Sequence, residues 1–358
     1  MTARLSVQVL VVGGGFAGAA TAFFLSRKGI GGVALLEQEP FFGLHASGRN
    51  AALCRQLVED DEVTALTVSG AEVLHSPLPD LSPRPLVSKS GSILLASTEE
   101  ALAEIQARAR TFSLSHELLS TRRVFSYWPL LQDMSCAGAV RFPDDGVIDI
   151  HALLHGYLAA ARERGVMTFL GCKVERAEPT EQGFLVESNL GTFSARCLVI
   201  AAGAWAGSVG MAAGAQNPGL VAYRRHLFLM TQPAGDSRPD LPYAWHLDAS
   251  FYIRPESAGY LLSPCDETPA EPGDDAVASN AADLVASRVV PLAPRLADLR
   301  VARSWACLRT FSPSKRPIIG WDEEVPGLFW VAGLGGHGAT ASATIGRLAA
   351  ERIASQLP

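Results

Sequence analysis

The feature that most constrains this chain is the run VVGGGFAGAATAFFLSRKGIGGVALLEQE at residues 11–39. It opens on a strand-like Val-Val and reaches Gly13-Gly14-Gly15-Phe16-Ala17-Gly18, a G-x-G-x-x-G. A helical pattern follows through Arg27, then a second apolar run that ends at Glu37. The order strand, glycine turn, helix, strand, acid predicts a dinucleotide-binding unit. Gly13 permits the tight turn, Gly15 lets the backbone approach a pyrophosphate, and Gly18 lets the helix pack near the strand. The helix N-terminus presents unpaired N–H groups and the positive end of its dipole to the phosphates. Glu37, nineteen residues after Gly18, can accept hydrogen bonds from both ribose hydroxyls. That favours an unphosphorylated ribose and disfavours NADP, leaving NAD and FAD open.

The chain has 358 residues, 48% of them hydrophobic and 18% charged, which indicates a globular protein with a substantial core. Its net charge is −6, and no basic run is interleaved with aromatics, so nucleic acid is not an expected partner. Cysteines stand at 54, 136, 172, 197, 265 and 307 without a C-x-x-C pair. They are read as reduced core residues of a cytoplasmic protein. The cysteines and histidines are read as forming no metal site. The N-terminal apolar stretch runs directly into the phosphate loop, so its removal would destroy that site. Residues 198–215, LVIAAGAWAGSVGMAAGA, carry no charge. Their small residues at 201–204 predict a buried strand, a turn and a small-residue helix rather than a membrane span.

Further along, helical spacing follows a loop in 41–75, and residues 76–90 are proline-rich. GSILLAS reads as a strand and TEEALAEIQARART as an amphipathic helix with acids first and arginines last. Runs at 223–231, 243–247, 250–255 and 259–263 alternate as strands of a sheet with one exposed face. PCDETPAEPGDD at 264–275 is acidic and bears prolines, and reads as a mobile loop. The C-terminal stretch from 327 is strand, glycine turn and long helix. The chain thus begins and ends on a strand–glycine–helix unit. This predicts an α/β fold: a Rossmann-like nucleotide domain from discontinuous segments 1–80, 145–215 and 315–358, interrupted by a β-rich substrate domain at 81–144 and 216–314. A flavoprotein, which must cover a long cofactor from both ends, suits that layout.

The sequence resembles the FAD-dependent D-amino-acid oxidase superfamily, which includes glycine oxidase, monomeric sarcosine oxidase and D-arginine dehydrogenase. The markers span nearly the whole chain: the glycine loop with LLEQE, HASGRNAA at 45–52, DDGVIDIHALLHGYLAAARERGV at 144–166, VIAAGAWA at 199–206, SWACLRTFSPSKRPIIG at 304–320 and LFWVAGLGGHGAT at 328–340. The pattern is closest to D-arginine dehydrogenase. The resemblance implies noncovalent FAD, its adenosine end at Glu37, Gln38 and the loop Gly13, Gly15, Phe16, Ala17 and Gly18. His45, Ala46, Ser47, Arg49, Asn50, Ala51 and Ala52 would line the isoalloxazine. Gly335, Gly336, His337, Gly338, Ala339 and Thr340 would point a helix N-terminus at the flavin edge where negative charge collects. Val174, Ala202, Gly203 and Trp205 complete the implied cofactor set, with Arg309 reaching both cofactor and substrate. Cys307 aligns with the cysteine that carries flavin in monomeric sarcosine oxidase, which makes a covalent link the alternative to a noncovalent one.

Arg309 lies inside an apolar strand pattern, and a buried arginine needs an anion. By the resemblance it pairs with a substrate carboxylate. Tyr252 and one of Arg224 or Arg225 would complete the clamp. Neighbours on a strand point to opposite faces, so only one arginine can take part, and Arg225 is preferred. His45 is a candidate for hydrogen bonding to substrate or moving its proton. Where D-arginine dehydrogenase has an acid after SPRP this chain has Leu86, which points to a neutral or apolar substrate. Where sarcosine oxidase has a lysine above the flavin, this chain has Leu261 or Leu262 in AGYLLS, which points to an electron acceptor other than oxygen. The expected reaction is FAD-dependent oxidation of the C–N bond of a carboxylate-bearing amine or amino acid. Alternatives are a 2-hydroxy-acid dehydrogenase, with His45 as essential base, and a non-catalytic flavin subunit of a larger complex.

Overall fold

The structure, a computed structural model, describes residues 4–231, 240–257 and 259–357. Arg4–Val12 is the central strand of an eight-stranded sheet. It lies between parallel neighbours Val33–Leu36 and Gly191–Ile200. Met167–Phe169 extends the parallel set on one side and Leu328–Ala332 on the other. The strands of this sheet therefore come from the beginning, middle and end of the chain. Val9 and Val11 face one way, into a core with Val199, Phe329 and the helices Phe16–Arg27, Ile150–Glu163 and Gly338–Ala354. Leu10 and Val12 face the other way, against Leu36, Ile200, Phe184 and Trp330. Both faces are covered, which is why the strand reads as an unbroken apolar run. Each of these buried side chains contributes about 1.5–3 kcal/mol.

A nine-stranded, mostly antiparallel sheet stands beside it. Its longest pair is Val221–Thr231 with Val301–Phe311, in a register that sets Tyr223 opposite Arg309 and Arg225 opposite Cys307. Those four side chains share one face. Leu53–Cys54, Gly146–Ile148 and Val87–Ser88 form a third, small sheet. It has no signature in the sequence because strands of two or three residues carry too little alternation.

Residues 198–215 become the end of the Gly191–Ile200 strand, the turn Gly203–Trp205 and the helix Ala206–Ala212. Among the described residues no helix is long and apolar enough to cross a membrane. All the cysteines are free. The histidines do contain one pair at ligand spacing: His151 and His155 stack one turn apart on their helix, 6.1 Å between rings. No third ligand joins them, and no group of three or more metal-ligating residues exists among the described residues.

The acidic segment at 264–275 is tethered, contrary to the sequence expectation. Three consecutive residues of one strand hold it. Arg224 binds Asp274, Arg225 donates to the Asp266 carbonyl at 2.9 Å and to Glu267, and His226 Nδ1 meets Asp266 Oδ2 at 2.7 Å. Acids that look like a solvated run are counter-ions to basic residues some 40 positions away.

Candidate active site

A cavity of about 740 Å³ is lined by residues from both large sheets. At one end is the glycine turn. Gly13 has φ +109°, and a Cβ there would lie 2.4 Å from the Ala201 carbonyl oxygen. A Cβ on Gly18 would lie 1.9 Å from the Gly13 carbonyl oxygen, so only glycine allows the helix this close to the turn. Glu37 Oε2 accepts from the Gly14 N–H at 2.8 Å and Oε1 from the Glu39 N–H at 3.0 Å. Burial raises the Glu37 carboxyl above its ordinary value, and these backbone donors oppose that rise. Each oxygen keeps lone-pair capacity for a further donor.

Three of the long helices begin at the cavity. Of the five described helices with twelve or more residues, three are capped by side chains: Asp60 accepts from Val63, Thr98 from Ala101 and Asp149 from Ala152. The other two, Phe16–Arg27 and Gly338–Ala354, have no side-chain cap, and both open onto the cavity. The Phe16 N–H already donates to Ser47 Oγ at 3.0 Å; the remaining first-turn N–H groups and the two dipoles favour negative charge there.

At the other end, Arg309 Nη1 donates to the Gly336 carbonyl at 3.1 Å, while its buried Nε has no partner among the described residues. Gly336 permits this approach, since a Cβ there would lie 3.2 Å from Arg309 Nη1. Tyr252 is 2% exposed and its hydroxyl is also unpartnered. Its cross-strand neighbour Ser263 spends its own hydroxyl on the His226 carbonyl. Burial pushes Tyr252 up to about 12, so at neutral pH it is a donor. Its ring stacks on Trp245 at 4.8 Å, and the Arg55 guanidinium lies 4.4 Å from the Trp245 ring centroid. His337 begins the last helix. Burial pushes it down to about 4, Glu59 opposes, and Arg55, Arg309 and Arg225 add to the depression, so it is neutral at pH 7.

A family model described as FAD dependent oxidoreductase (DAO) matches residues 8–352. The chain belongs to this family. FAD is the cofactor of this family. Mouse (Mus musculus) sarcosine dehydrogenase, a mitochondrial protein, is 25% identical over 93% of this chain, and the chain spans only 38% of that relative. Glycine oxidase of Geobacillus kaustophilus (strain HTA426) is 26% identical, covering 97% of this chain and 92% of its own. Among solved structures, Geobacillus kaustophilus glycine oxidase aligns with TM-score 0.84 and 24% identity, covering 98% and 95% of the two chains. L-proline dehydrogenase from P. horikoshii aligns with TM-score 0.86 and 20% identity, covering 99% and 96%. The residues of this FAD dependent oxidoreductase fit the cofactor. Two helix N-termini without a cap from their own N-cap side chains, and a glycine cradle that a Cβ would fill, face one cavity.

Most of the residues singled out in the sequence line that cavity. They include Gly15, Phe16, Ala17, Gln38, Ala46, Ser47, Asn50, Ala51, Ala52, Val174, Ala202, Gly203, Trp205, Gly335, Gly338, Ala339 and Thr340. Gly18 packs behind the turn, and Arg49 points to Asp275 instead of lining the cavity. Arg225 lines the cavity, but Glu267 and Asp266 already engage it; Arg224 faces Asp274. His45 lines the cavity with both ring nitrogens occupied, Nε2 by Glu39 at 3.0 Å and Nδ1 by Asp275 at 3.3 Å. A role as a free base for substrate does not fit that geometry. Leu86 is buried beside the helix Asp61–His75, its N–H donating to the Leu74 carbonyl, and does not line the cavity, so it is no guide to the substrate's side chain. Leu261 packs with Cys307 and Tyr252, and neither Leu261, Leu262 nor Cys307 lines the cavity. Sequence reasoning missed Arg55, Trp245 and Glu59. Arg55 stands in LCRQLVEDDE, inside the 41–75 stretch that reads as a loop followed by helical spacing.

Proposed function

We propose that this chain binds FAD noncovalently and oxidises the C–N bond of a small amine or amino acid that carries a carboxylate. Bound FAD supplies the two-electron acceptor. Arg309 and Tyr252 bind the carboxylate and so fix the amine-bearing carbon. The walls of the cavity exclude water, which strengthens those contacts. The neutral His337 at the helix N-terminus leaves that terminus as the positive element. Loss of hydride from the neutral amine leaves an iminium, which water hydrolyses to a carbonyl compound and the released amine or ammonium. The single observation that carries this reading is the pair of buried, unpartnered donors, Arg309 Nε and Tyr252 hydroxyl, on the cavity that also holds the glycine turn. Leaving such groups unsatisfied costs about 1–3 kcal/mol each, more for a charge, and a carboxylate removes that cost. Oxidation of a 2-hydroxy acid would need a base on the hydroxyl, and the engaged His45 weighs against it.

In this reading the cofactor domain comprises 1–80, 145–215 and 315–358, and the substrate domain 81–144 and 216–314. Residues 1–3, 232–239, 258 and 358 lie outside the described residues. The test is anaerobic mixing of the yellow protein with D-amino acids, N-methyl amino acids and 2-hydroxy acids. Bleaching of the flavin by amines alone is expected. Bleaching by hydroxy acids alone, or by none of the three, would overturn the reading. Exposure of the reduced protein to air then separates oxidase from dehydrogenase.

A further inference from the structure

We propose that Arg55 is a second anion anchor, so that the preferred substrate carries a second acidic group besides the carboxylate at Arg309. The inference rests on the carboxylate site of the proposed function and goes beyond it. Arg55 is 4% exposed, lines the same cavity and has a buried Nε without a partner among the described residues. Its one ion pair among the described residues is Nη2 to Glu59 Oε1 at 3.0 Å, and the Glu59 side chain is 69% exposed while that of Arg55 is 5% exposed. A buried cation is thus balanced by a counter-ion on the rim. Behind Arg55, Asp145 is spent on Gln56, Ser92 and Tyr243. The pair is half-buried, so Arg55 cannot be left alone; a substrate carboxylate that takes the place of Glu59 keeps the buried guanidinium paired, while the largely exposed Glu59 carboxylate returns to solvent. The Nε and Nη2 edge of the guanidinium has the geometry that takes a carboxylate through two parallel hydrogen bonds.

Position supports the same reading. Arg55 lies over Trp245, and Trp245 stacks on Tyr252, so one continuous wall runs from the second guanidinium to the first carboxylate's donor. His337 feels the charge of both Arg55 and Arg309, so both cations lie near one imidazole on the same cavity. The apolar middle of this wall and its cationic ends suit a short dicarboxylate amine. The second acid sits either on the side chain, as in glutamate, or on the nitrogen, as in N-carboxymethylglycine.

The experiment uses the flavin-loaded protein. Glutarate and butyrate are titrated against the flavin spectrum as non-reacting probes. N-carboxymethylglycine against sarcosine, and both enantiomers of glutamate against norvaline, are then compared by half-saturation of anaerobic bleaching. The two pairs tell a nitrogen substituent from a side chain. Glutarate should bind about tenfold or more tightly than butyrate, the scale of one charge-assisted hydrogen bond. Arg55→Met should erase that preference and leave butyrate within about threefold of its wild-type affinity. Glu59→Gln, which removes the competing carboxylate, should sharpen the preference, and this arm stands even if Arg55→Met fails to fold. Equal binding of glutarate and butyrate, or an equal loss of both in Arg55→Met, overturns the role of Arg55 and leaves the Arg309 site intact. If neither probe perturbs the flavin and no amine bleaches it, the carboxylate site itself has failed, and this inference with it.

Discussion

Arg309 and Tyr252 are unequal partners, because one carries a charge and the other does not. Arg309→Met should raise the half-saturating substrate concentration about 10- to 100-fold, and Tyr252→Phe only about 2- to 10-fold. Steady-state measurement of kcat and KM on both variants checks the order. A reversed order would mean that the carboxylate does not sit on the guanidinium. His337 sets a pH dependence. Its folded value, about 4, lies below the ordinary value near 6.5. The unfolded chain therefore takes up a proton that the folded chain refuses, and stability is whole above pH ~6.5 and declines as pH falls toward ~4. Asp145 acts oppositely, since burial raises it to about 6. The difference in urea midpoint between wild type and His337→Asn, at pH 7 and at pH 5, isolates the histidine. Wild type should lose more stability than the variant on acidification.

At the level of elements, the two classes of helix N-terminus should respond differently to substitution. Thr98→Ala removes a cap far from the cavity and should cost about 1 kcal/mol while flavin content stays unchanged. Gly18→Ala forces the first helix away from its turn, at about 1–3 kcal/mol, and should lower retained flavin. Absorbance ratio after gel filtration, with thermal melting, measures both. The elements also explain what the sequence could and could not disclose. The unit from Val11 to Glu37 is legible because its parts lie within thirty residues and Gly13 and Gly18 each answer to a close backbone contact. Arg309 is legible because a charge interrupts an apolar strand. Arg55 is not, because its burial is made by Trp245, a residue 190 positions later, and its local sequence reads as a loop before helical spacing. His45 misleads for the same reason in reverse. Its motif is local, but the Asp275 that occupies it arrives from a segment that looks like a free loop.

For the molecule as a whole, the proposed reading has one cofactor bridging segments from both ends of the chain, so its binding should stabilise the entire fold. FAD at 100 times its dissociation constant adds about 2.7 kcal/mol, which for a chain of this size raises Tm by about 3–4 °C. An unchanged Tm on adding FAD to stripped protein would argue that the two end segments are not bridged by the ligand. The central claim is that one cavity holds flavin at its glycine end and a carboxylate at Arg309. The most direct measurement of it is a titration of the flavin spectrum with acetate, in wild type and in Arg309→Met. A saturable perturbation in the wild type that disappears in the variant, with flavin still bound in both, is the predicted result. A colourless protein that refuses FAD, or a perturbation that survives the loss of Arg309, would contradict it.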